Sequence, residues 1–401
     1  MIKAAVLGYG TVGSGVVEVI QENNRLIADR LGCPIEVKYV LDLREFPGDK
    51  NEKLIVHDVQ VIMDDPEISV VCETMGGSGA AYEFTKAALS KGKSVCTSNK
   101  ELVEKYGPEL LKLARENNCN YLFEASVGGG IPIIRPMNTS FAPEQIQSIK
   151  GILNGTTNYI LTAMAGEGAD YAGTLKKAQE LGYAERNPEA DVEGHDAGRK
   201  IAILASLMTG KTVRYEDIYI EGITALEAVD FAFADKLGRT VKLIAEAENN
   251  DGDISAIVSP RLLENDHPLA GVNGVFNAVF VTGNMVGDVM FYGKGAGKLA
   301  TASAVVSDVI EAARATLDKT ALPCVWSEEK VSLVAHDEKK ERFFARVRDM
   351  YADKFSGKLS GAEDMGSIDG WHGYVTKSMS EKEFMDVLKT SGVDARYIRL
   401  D

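Results

Sequence analysis

The sequence lacks any apolar run long enough to cross a membrane, and it has few cysteines. Its five cysteines are scattered without a C-x-x-C pair, which argues against a disulfide framework or a zinc site and favours reduced thiols. The N-terminal residues also lack the apolar core and cleavage site of a secretory signal. We therefore expect a cytoplasmic protein with no membrane partner.

Basic residues are in the minority as well. Lysine and arginine number 44 against 59 aspartates and glutamates, which gives a formal net charge of −15. This balance argues against nucleic acid or an anionic membrane surface as the main partner. An anionic cofactor is still compatible with it, because a helix N-terminus can bind one locally. A chain of 401 residues predicts two or three domains.

The N-terminal region alternates short apolar strands with helical patterns. Residues 3–7 form a predicted strand, and the glycine-rich segment G-Y-G-T-V-G follows before an apolar-periodic helix begins. A second strand, at residues 35–41, ends in Asp42. The alternation continues through residues 1–130 and predicts an α/β fold, a Rossmann-type doubly wound parallel sheet.

The pattern changes in the rest of the chain. Residues 131–300 mix helices with strands of a second sheet, which predicts an α+β domain. A predicted helix at residues 300–320 should pack back on the first domain. Residues 330–401 predict a small α+β C-terminal unit.

The glycine-rich segment has the context of a dinucleotide site. A strand precedes it, a helix follows it, and an acidic residue ends the next strand. Glycines let the backbone approach a pyrophosphate closely, and the helix N-terminus supplies unpaired N–H groups. The predicted cofactor contacts here are Gly8, Gly10, Thr11, Val12 and Gly13.

The second strand bears on the choice of cofactor. Asp42 could accept hydrogen bonds from a ribose 2′-hydroxyl and would repel a 2′-phosphate, which favours NAD. Arg44 could instead cover a 2′-phosphate, so NADP stays the alternative. The spacing from Gly13 to Asp42 is longer than usual for this motif, so a loop should lie between them.

Four segments are dense in small and polar residues beside apolar strands, which indicates close approach of backbone to a ligand. They are T-S-N-K-E-L (97–102), E-A-S-V-G-G-G-I-P (124–132), G-I-L-N-G-T-T-N-Y (151–159) and the stretch 182–200.

Asp196 and Lys200 in the last segment are four residues apart and share one face of a predicted helix. An ordinary surface ion pair is the alternative interpretation of this spacing.

Together these segments resemble homoserine dehydrogenases. The resemblance runs from residue 1 to about 320 and depends on L-N-G-T-T-N-Y-I and on G-Y-A-E followed by P-x-x-D-V-E-G-x-D-x-x-x-K. It implies NAD(P)-dependent interconversion of L-homoserine and L-aspartate 4-semialdehyde, a small-molecule substrate, in threonine, methionine and isoleucine biosynthesis. It also implies a homodimer in which residues 131–300 form the substrate-binding, catalytic and dimerisation domain.

The resemblance also implies a role for each matching residue. Lys200 matches the proton donor and acceptor, beside Asp196, and Lys100 matches a second catalytic lysine. A crowded or buried lysine suits this work because its proton can be lost near the working pH. Glu185 and Asp191 match residues that hold the substrate ammonium.

The remaining matches are contacts to cofactor, substrate and a metal ion. Further cofactor contacts are Gly76, Ser98, Lys100, Gly155 and Gly295, and further substrate contacts are Thr156, Gly182, Tyr183 and Lys200. Glu124, with the carbonyls of Val127, Gly129 and Ile131, resembles a sodium site, and neutral carbonyl oxygens suit such a weakly bound hard cation. A plain turn satisfied by water is the alternative.

The C-terminal unit resembles a shortened ACT-type regulatory domain. Predicted strands at 343–347, 373–376 and 396–400 and a helix at 381–388 fit its β-α-β-β-α-β pattern. The turn motif and first helix expected after the first strand are missing, so dimer packing is at least as good an interpretation as feedback regulation.

Two other functions are alternatives to this one. One is another nicotinamide-dependent dehydrogenase, acting on a sugar or a lactone, which would not explain Lys200 with Glu185 and Asp191. The other is a non-catalytic NAD(H) sensor, against which the two lysines argue. The five histidines show no metal-ligand spacing and are interpreted as surface or loop residues.

Overall fold

A computed structural model describes residues 1–401, apart from the side chain of Glu167. The chain forms two compact units. The first comprises Met1–Gln145, Ala202–Arg214 and Gly293–Val331. The second comprises Ile146–Ile201, Tyr215–Tyr292 and Ser332–Asp401.

Strands and helices are numbered in chain order, and they alternate in the first third of the chain. The strands are β1 (Ile2–Leu7), β2 (Ile35–Leu41), β3 (Ile55–Val56), β4 (Ile68–Glu73), β5 (Ser94–Thr97), β6 (Tyr121–Leu122), β7 (Ile146–Ile152), β8 (Tyr219–Ile220), β9 (Arg239–Asn250), β10 (Asp253–Glu264), β11 (Phe276–Gly283), β12 (Gly287–Lys294), β13 (Lys340–Arg348), β14 (Glu363–Ile368), β15 (Trp371–Val375), β16 (Met379–Ser380) and β17 (Ala395–Leu400). The helices are α1 (Thr11–Glu22), α2 (Asn24–Leu31), α3 (Gln60–Met63), α4 (Gly79–Ser90), α5 (Lys100–Glu116), α6 (Ile134–Asn138), α7 (Gly155–Glu167), α8 (Tyr171–Glu180), α9 (Glu189–Val192), α10 (His195–Thr209), α11 (Ala228–Lys236), α12 (Lys298–Asp318), α13 (Ala352–Ser356) and α14 (Glu381–Ser391).

The first unit is built on a six-stranded sheet. Its strand order is β3-β2-β1-β4-β5-β6, and every neighbouring pair is parallel. The strand order reverses between β1 and β4, where doubly wound sheets bind ligands outside the carboxyl ends of their strands. The predicted Rossmann-type sheet is confirmed.

Helix α12 packs against α1 on one face of this sheet. A Cβ atom on Gly15 of α1 would lie 2.9 Å from the Cβ of Ala302, so only glycine allows so close an approach. Val305 and Val309 of α12 join Val16 and Ile20 of α1 in a buried core. Helix α12 also contacts β4 and β5, so it lies on the parallel sheet of the first unit.

The second unit contains a mixed sheet of eleven strands. Its main order is β12-β11-β7-β9-β10-β17-β13-β15-β14, with β8 beside β10 and β16 beside β13. The strands β9 and β10 form a long antiparallel hairpin with twelve paired residues. Helices α7 and α11 pack on β9, so this region is α+β, as predicted.

The C-terminal segment continues that same sheet, because β17 pairs in parallel with β10. Its chain order β13-α13-β14-β15-α14-β17 and spatial order β17-β13-β15-β14 are those of a ferredoxin-like unit. Helix α13, where a first long helix was missing from the sequence pattern, has only five residues. The ACT-type assignment stays a prediction.

Strand β14 lies in a glycine-rich stretch in which the sequence predicted no strand. None of its residues is buried, and four of its six residues are polar or glycine, E-D-M-G-S-I. It is the edge strand of the sheet, and no apolar alternation marks it in the sequence. Within the described residues, every helix is too short or too polar to span a lipid bilayer.

Candidate active site

The glycine-rich turn joins β1 to α1 in the first unit. A Cβ atom on Gly13 would lie 1.8 Å from the carbonyl oxygen of Gly8, so the turn needs glycine at this position. Gly8 has a φ of 92°, in the left-handed region that glycine favours. Gly10 caps the N-terminus of α1, which begins with Thr11 and Val12. The turn therefore presents unpaired helix N–H groups at the carboxyl end of β1.

Asp42 follows β2 and is held by two neighbours. Its Oδ2 accepts a hydrogen bond from the backbone N–H of Tyr9 at 2.8 Å. The guanidinium of Arg44 donates to both oxygens, each at 2.9 Å. The Arg44 side chain holds the pKa of the Asp42 carboxyl well below its usual range, so Asp42 is ionised at neutral pH.

Asp42 and Arg44 line a cavity of about 760 Å³ at the carboxyl edge of the sheet, together with Gly8, Gly10 and Gly76. His57 also lines it and lies 2.6 Å, through Nδ1, from the carbonyl oxygen of Asp42. The sequence predicts only a surface or loop residue at His57. Nothing in its local pattern marks it, since the fold brings it to the cavity from a short loop after β3.

Lys100 is the first residue of α5, directly after β5 and Ser98. Asn99 caps this helix through its Oδ1, which accepts the N–H of Leu102 at 3.1 Å. The predicted lysine therefore lies at the carboxyl end of a parallel strand, where such sheets bind ligands.

A buried cluster around Lys200 forms in the second unit. The Lys200 ammonium donates to Asp196 Oδ2 at 2.8 Å and to the carbonyl oxygen of Leu153 at 2.7 Å. Asn154 Nδ2 donates to Asp196 Oδ2 at 2.9 Å and to Asp191 Oδ1 at 2.8 Å. Lys200 is 9% exposed and Asp196 is 5% exposed. The alternative of a surface ion pair is therefore wrong.

Asn154 also fixes the helix that begins the N-G-T-T-N segment. Its Oδ1 accepts the N–H of Thr157 at 2.9 Å, which caps α7. A Cβ atom on Gly155 would lie 2.8 Å from the carbonyl oxygen of Val275, so the helix start packs tightly on the backbone. Asn154 thus joins the segment around Gly155, a predicted cofactor contact, to the carboxylates of Asp191 and Asp196.

Thr156 and Tyr183 are neighbours in the same unit. The Thr156 hydroxyl donates to the carbonyl oxygen of Tyr183 at 2.6 Å. Gly182 has a φ of 74°, which lets the chain turn sharply after α8. Glu185 follows on an exposed turn, and among the described contacts its carboxylate does not join the cluster around Lys200.

The glycine loop at Gly295 packs on the G-G-G segment within the first unit. A Cβ atom on Gly129 would lie 2.3 Å from the carbonyl oxygen of Gly295. The N–H of Gly130 donates to the carbonyl oxygen of Lys294 at 3.1 Å. These two predicted site segments are brought together.

The Glu124 carboxylate is fully used inside the first unit. It accepts N–H groups of Ile133, Ile134 and Arg135 at 2.5–2.8 Å, at the start of α6. Burial raises the pKa of this carboxyl. An ion beside Glu124 would therefore be bound by backbone carbonyls, and none of the described backbone hydrogen bonds is accepted by Glu124, Val127, Gly129 or Ile131.

Comparisons with known proteins identify the family. A family profile described as homoserine dehydrogenase, NAD binding domain, matches residues 8–124, and one described as homoserine dehydrogenase matches residues 132–310. Homoserine dehydrogenases of Synechocystis sp. and Bacillus subtilis are 49% and 45% identical over 316 and 312 residues. Each alignment covers 77% of this chain and 72% of the relative.

Solved structures agree with the sequence relatives. A homoserine dehydrogenase from Thiobacillus denitrificans has a TM-score of 0.92 at 32% identity and covers 100% of this chain and 98% of its own. A hyperthermophilic archaeal homoserine dehydrogenase mutant, solved in complex with NADPH, has a TM-score of 0.67 at 30% identity. That match covers 79% of this chain and 98% of the archaeal one.

The doubly wound sheet with its glycine turn is that of a nicotinamide-dependent oxidoreductase. The relatives and the two family profiles are specific about which one. The chain belongs to the homoserine dehydrogenase family. The resemblance predicted from the N-G-T-T-N and G-Y-A-E segments is thereby confirmed, and the sugar-dehydrogenase and sensor interpretations are not favoured.

Proposed function

We propose that this chain catalyses the interconversion of L-homoserine and L-aspartate 4-semialdehyde with NAD or NADP. The observation that supports it best is the buried lysine cluster, in which Lys200 is held by Asp196 and by the carbonyl of Leu153. A buried amine fixed in one place can exchange a proton with a single oxygen atom of a substrate.

The proton and the hydride are handled separately in this reaction. A bound nicotinamide supplies the chemistry of hydride exchange with C4 of homoserine. In the oxidative direction Lys200, as the free amine, removes the hydroxyl proton, and in reduction its ammonium returns that proton to the aldehyde oxygen. Asp196 keeps the lysine oriented, and Lys100 at the start of α5 is the second lysine of the reaction.

The substrate ammonium needs carboxylates as its binding partners. We assign this role to Glu185 and Asp191, with Thr156, Gly182 and Tyr183 completing the substrate contacts. Glu185 is exposed and so is accessible to a ligand, and Asp191 reaches the lysine cluster through Asn154. An ion pair buried by the bound substrate gives specificity for an amino acid over a simple alcohol.

NAD is the favoured cofactor in this proposal. The glycine turn leaves room for a pyrophosphate, and the ionised Asp42 offers an acceptor to a ribose 2′-hydroxyl while repelling a 2′-phosphate. The Arg44 side chain is 63% exposed, so it could leave Asp42 and meet a 2′-phosphate instead. Gly76, Ser98, Gly155 and Gly295 are the remaining proposed cofactor contacts.

Two further assignments accompany the activity. We propose that Na⁺ binds the carbonyls of Glu124, Val127, Gly129 and Ile131, and replacing Na⁺ by a large organic cation should then lower activity or stability.

We also propose a homodimer that covers the edge strand β12, on which Met290 and Tyr292 are 40% and 53% exposed. Light scattering of the wild type should give twice the 43.3 kDa chain mass, and Met290→Glu should reduce it.

The activity is tested by the absorbance of reduced nicotinamide at 340 nm. Purified protein is mixed with L-homoserine and either NAD or NADP, and L-2-aminobutyrate, which lacks the hydroxyl, is the control substrate. Reduction that requires homoserine is the expected result, with the higher rate for NAD. No reduction with either cofactor, at alkaline pH and with sodium present, would overturn the proposal.

A further inference from the structure

Glu73 is a completely buried carboxylate at the carboxyl end of β4. The mechanism above gives it no role, and neither its burial nor its contacts were evident from the sequence. It ends an apolar strand at the edge of the sheet that faces the nucleotide cavity, between the loops that follow β4 and β5.

Both oxygens of Glu73 are used to hold these loops. Oε1 accepts the backbone N–H of Met75 at 2.7 Å, which fixes the loop after β4. Oε2 lies 2.5 Å from the hydroxyl of Thr97, the last residue of β5. Thr97 Oγ1 accepts in turn the N–H of Asn99 at 2.9 Å.

Asn99 passes this arrangement on to Lys100. Its Oδ1 caps α5, whose first residue is Lys100, and its Nδ2 donates to the carbonyl oxygen of Gly77 at 2.7 Å. Glu73, Thr97 and Asn99 thus link the loop at residues 75–77 to the start of α5. Met75 and Gly76 of this loop line the nucleotide cavity.

The network is complete only when Glu73 is ionised. The carboxylate then accepts a hydrogen bond from the Thr97 hydroxyl. The oxygen of that hydroxyl is able to accept a hydrogen bond from the N–H of Asn99 at the same time. A protonated Glu73 would donate to Thr97 instead, and the Thr97 proton would lose its acceptor. We propose that Glu73 is a positioning residue whose ionised carboxylate, acting through Thr97 and Asn99, sets the geometry of Lys100 and of the 75–77 loop.

The surroundings place the ionisation of Glu73 in the working range of pH. Burial raises its pKa to about 7. On β4, β5 and β6 the other titratable groups are Cys72, Cys96 and Tyr121, and burial raises the pKa of each, so all three are neutral. Lys3 of β1 is paired with Glu67 at the other end of β4. On α12, which packs on β4 and β5, burial raises the pKa of Asp308. Lys100, Glu101, Glu104 and Lys105 are the charged groups on the first two turns of α5.

This inference rests on the proposed function in one respect, the role of Lys100, and its test uses Glu73→Gln. We expect kcat for homoserine oxidation at pH 8 to fall about tenfold, the effect of losing one hydrogen bond to a charged group. In the wild type, kcat should fall as the pH drops below about 7, and this fall should be absent in Glu73→Gln. Any rise of kcat at alkaline pH should be the same in both proteins. Glu67→Gln, at the opposite end of the same strand and paired with Lys3 and Lys38 on the surface, is the matched control and should keep wild-type kcat.

Stability separates positioning from a plain structural role. Because the folded-state pKa of Glu73 lies above its ordinary value of 4.5, ionisation destabilises the fold, and unfolding free energy falls as pH rises from about 4.5 to about 7. Glu73→Gln should therefore be at least as stable as the wild type at pH 8 while its kcat is lower. A matching loss of stability and kcat would contradict the inference.

A second pair of variants tests the bridge itself. Thr97→Val removes the hydroxyl and should lower kcat as Glu73→Gln does. Thr97→Ser keeps the hydroxyl and should have a kcat close to that of the wild type. Equal kcat in Thr97→Val and the wild type, or a Thr97→Ser variant as slow as Thr97→Val, would overturn the inference.

NADH binding, followed by its fluorescence, tests the network without turnover. Wild-type affinity should weaken below about pH 7, and that pH dependence should be absent in Glu73→Gln. If the wild type binds NADH in this way but does not oxidise homoserine, the proposed function fails and the role of Glu73 stands. An affinity that is independent of pH in both proteins would overturn the inference.

Discussion

The nucleotide cavity of the first unit and the lysine cluster of the second each contain an acid–base pair that is close in sequence. Arg44 is paired with Asp42, and its side chain is 63% exposed. Lys200 is paired with Asp196, and its side chain is 11% exposed. An exposed pair is held weakly and can exchange its partner for a ligand, whereas a buried pair keeps one geometry. The difference suits the first pair to choosing a cofactor and the second to proton transfer.

The largest effect should follow from removing the buried amine. Lys200→Ala should lower kcat by roughly 10²–10⁴-fold, the usual contribution of a general acid or base. Affinity for NADH, measured by fluorescence, should be unchanged, because the glycine turn and Asp42 belong to the other unit. Lys86→Ala, at an exposed pair with Glu109, is the control. A Lys200→Ala variant with wild-type kcat would contradict the comparison.

A smaller effect, on binding rather than turnover, is expected for the substrate carboxylate. Glu185→Gln should raise the KM for homoserine about tenfold, since one charged hydrogen bond to the ammonium is lost. Its kcat should change much less. Steady-state kinetics with homoserine varied at saturating NAD checks both values. Glu189→Gln, also exposed and nearby in sequence, should leave KM as it is, and an unchanged KM in Glu185→Gln would remove Glu185 from the site.

The exposed pair should affect the choice of cofactor and little else. Asp42→Ala should lower the ratio of kcat/KM for NAD to that for NADP by about tenfold, because the acceptor for the 2′-hydroxyl and the charge that repels a 2′-phosphate are both removed. Arg44→Ala should weaken NADP more than NAD. The two ratios are obtained from initial rates at 340 nm. A ratio that neither substitution changes would mean that cofactor choice is made elsewhere.

The smallest effect concerns another buried lysine, which lacks a carboxylate partner in its described hydrogen bonds. Lys242 is 1% exposed and donates to the carbonyl oxygen of Val272, to Asn273 and to Asn158. Burial lowers its pKa from 10.5 to about 8. The unfolded chain therefore binds more protons between these values, and the free energy of unfolding should rise with pH across that window, by about 1–3 kcal/mol.

Lys242→Met tests this directly by chemical denaturation at pH 7.5, 9 and 10. The gain in stability from pH 7.5 to 10 should be smaller in the variant than in the wild type. Lys236→Met, at an exposed helix end, should keep the wild-type dependence. Parallel pH dependence in the wild type and Lys242→Met would show that Lys242 keeps an ordinary pKa.

The sequence predicted the parts of the fold whose patterns are local. The strand–turn–helix around Gly8 and Gly13, the alternation that follows, and the helix carrying Asp196 and Lys200 all rest on short-range periodicity. Strand β14 was not predicted, because an exposed edge strand of polar residues and glycine has no apolar alternation.

The sequence predicted which residues carry the chemistry of the site, but not which residues surround them. Spacing paired Asp196 with Lys200, yet only the packing shows that this pair is buried and that Asn154 joins it to Asp191. Glu73 and His57 gave no local signal, since each acquires its role from segments 15 or more residues away in sequence. Such long-range contacts depend on the whole fold and cannot be derived from neighbouring residues.

Hydride transfer from homoserine is the central claim, and isotopic labelling measures it most directly. L-Homoserine that carries two deuterium atoms at C4 is oxidised by the wild-type protein with NAD. The reduced nicotinamide is then analysed by mass spectrometry and NMR. The account predicts one deuterium at C4 of the nicotinamide ring and an aldehyde that keeps the other. Reduction without transfer of deuterium, or no reduction at all, would contradict it.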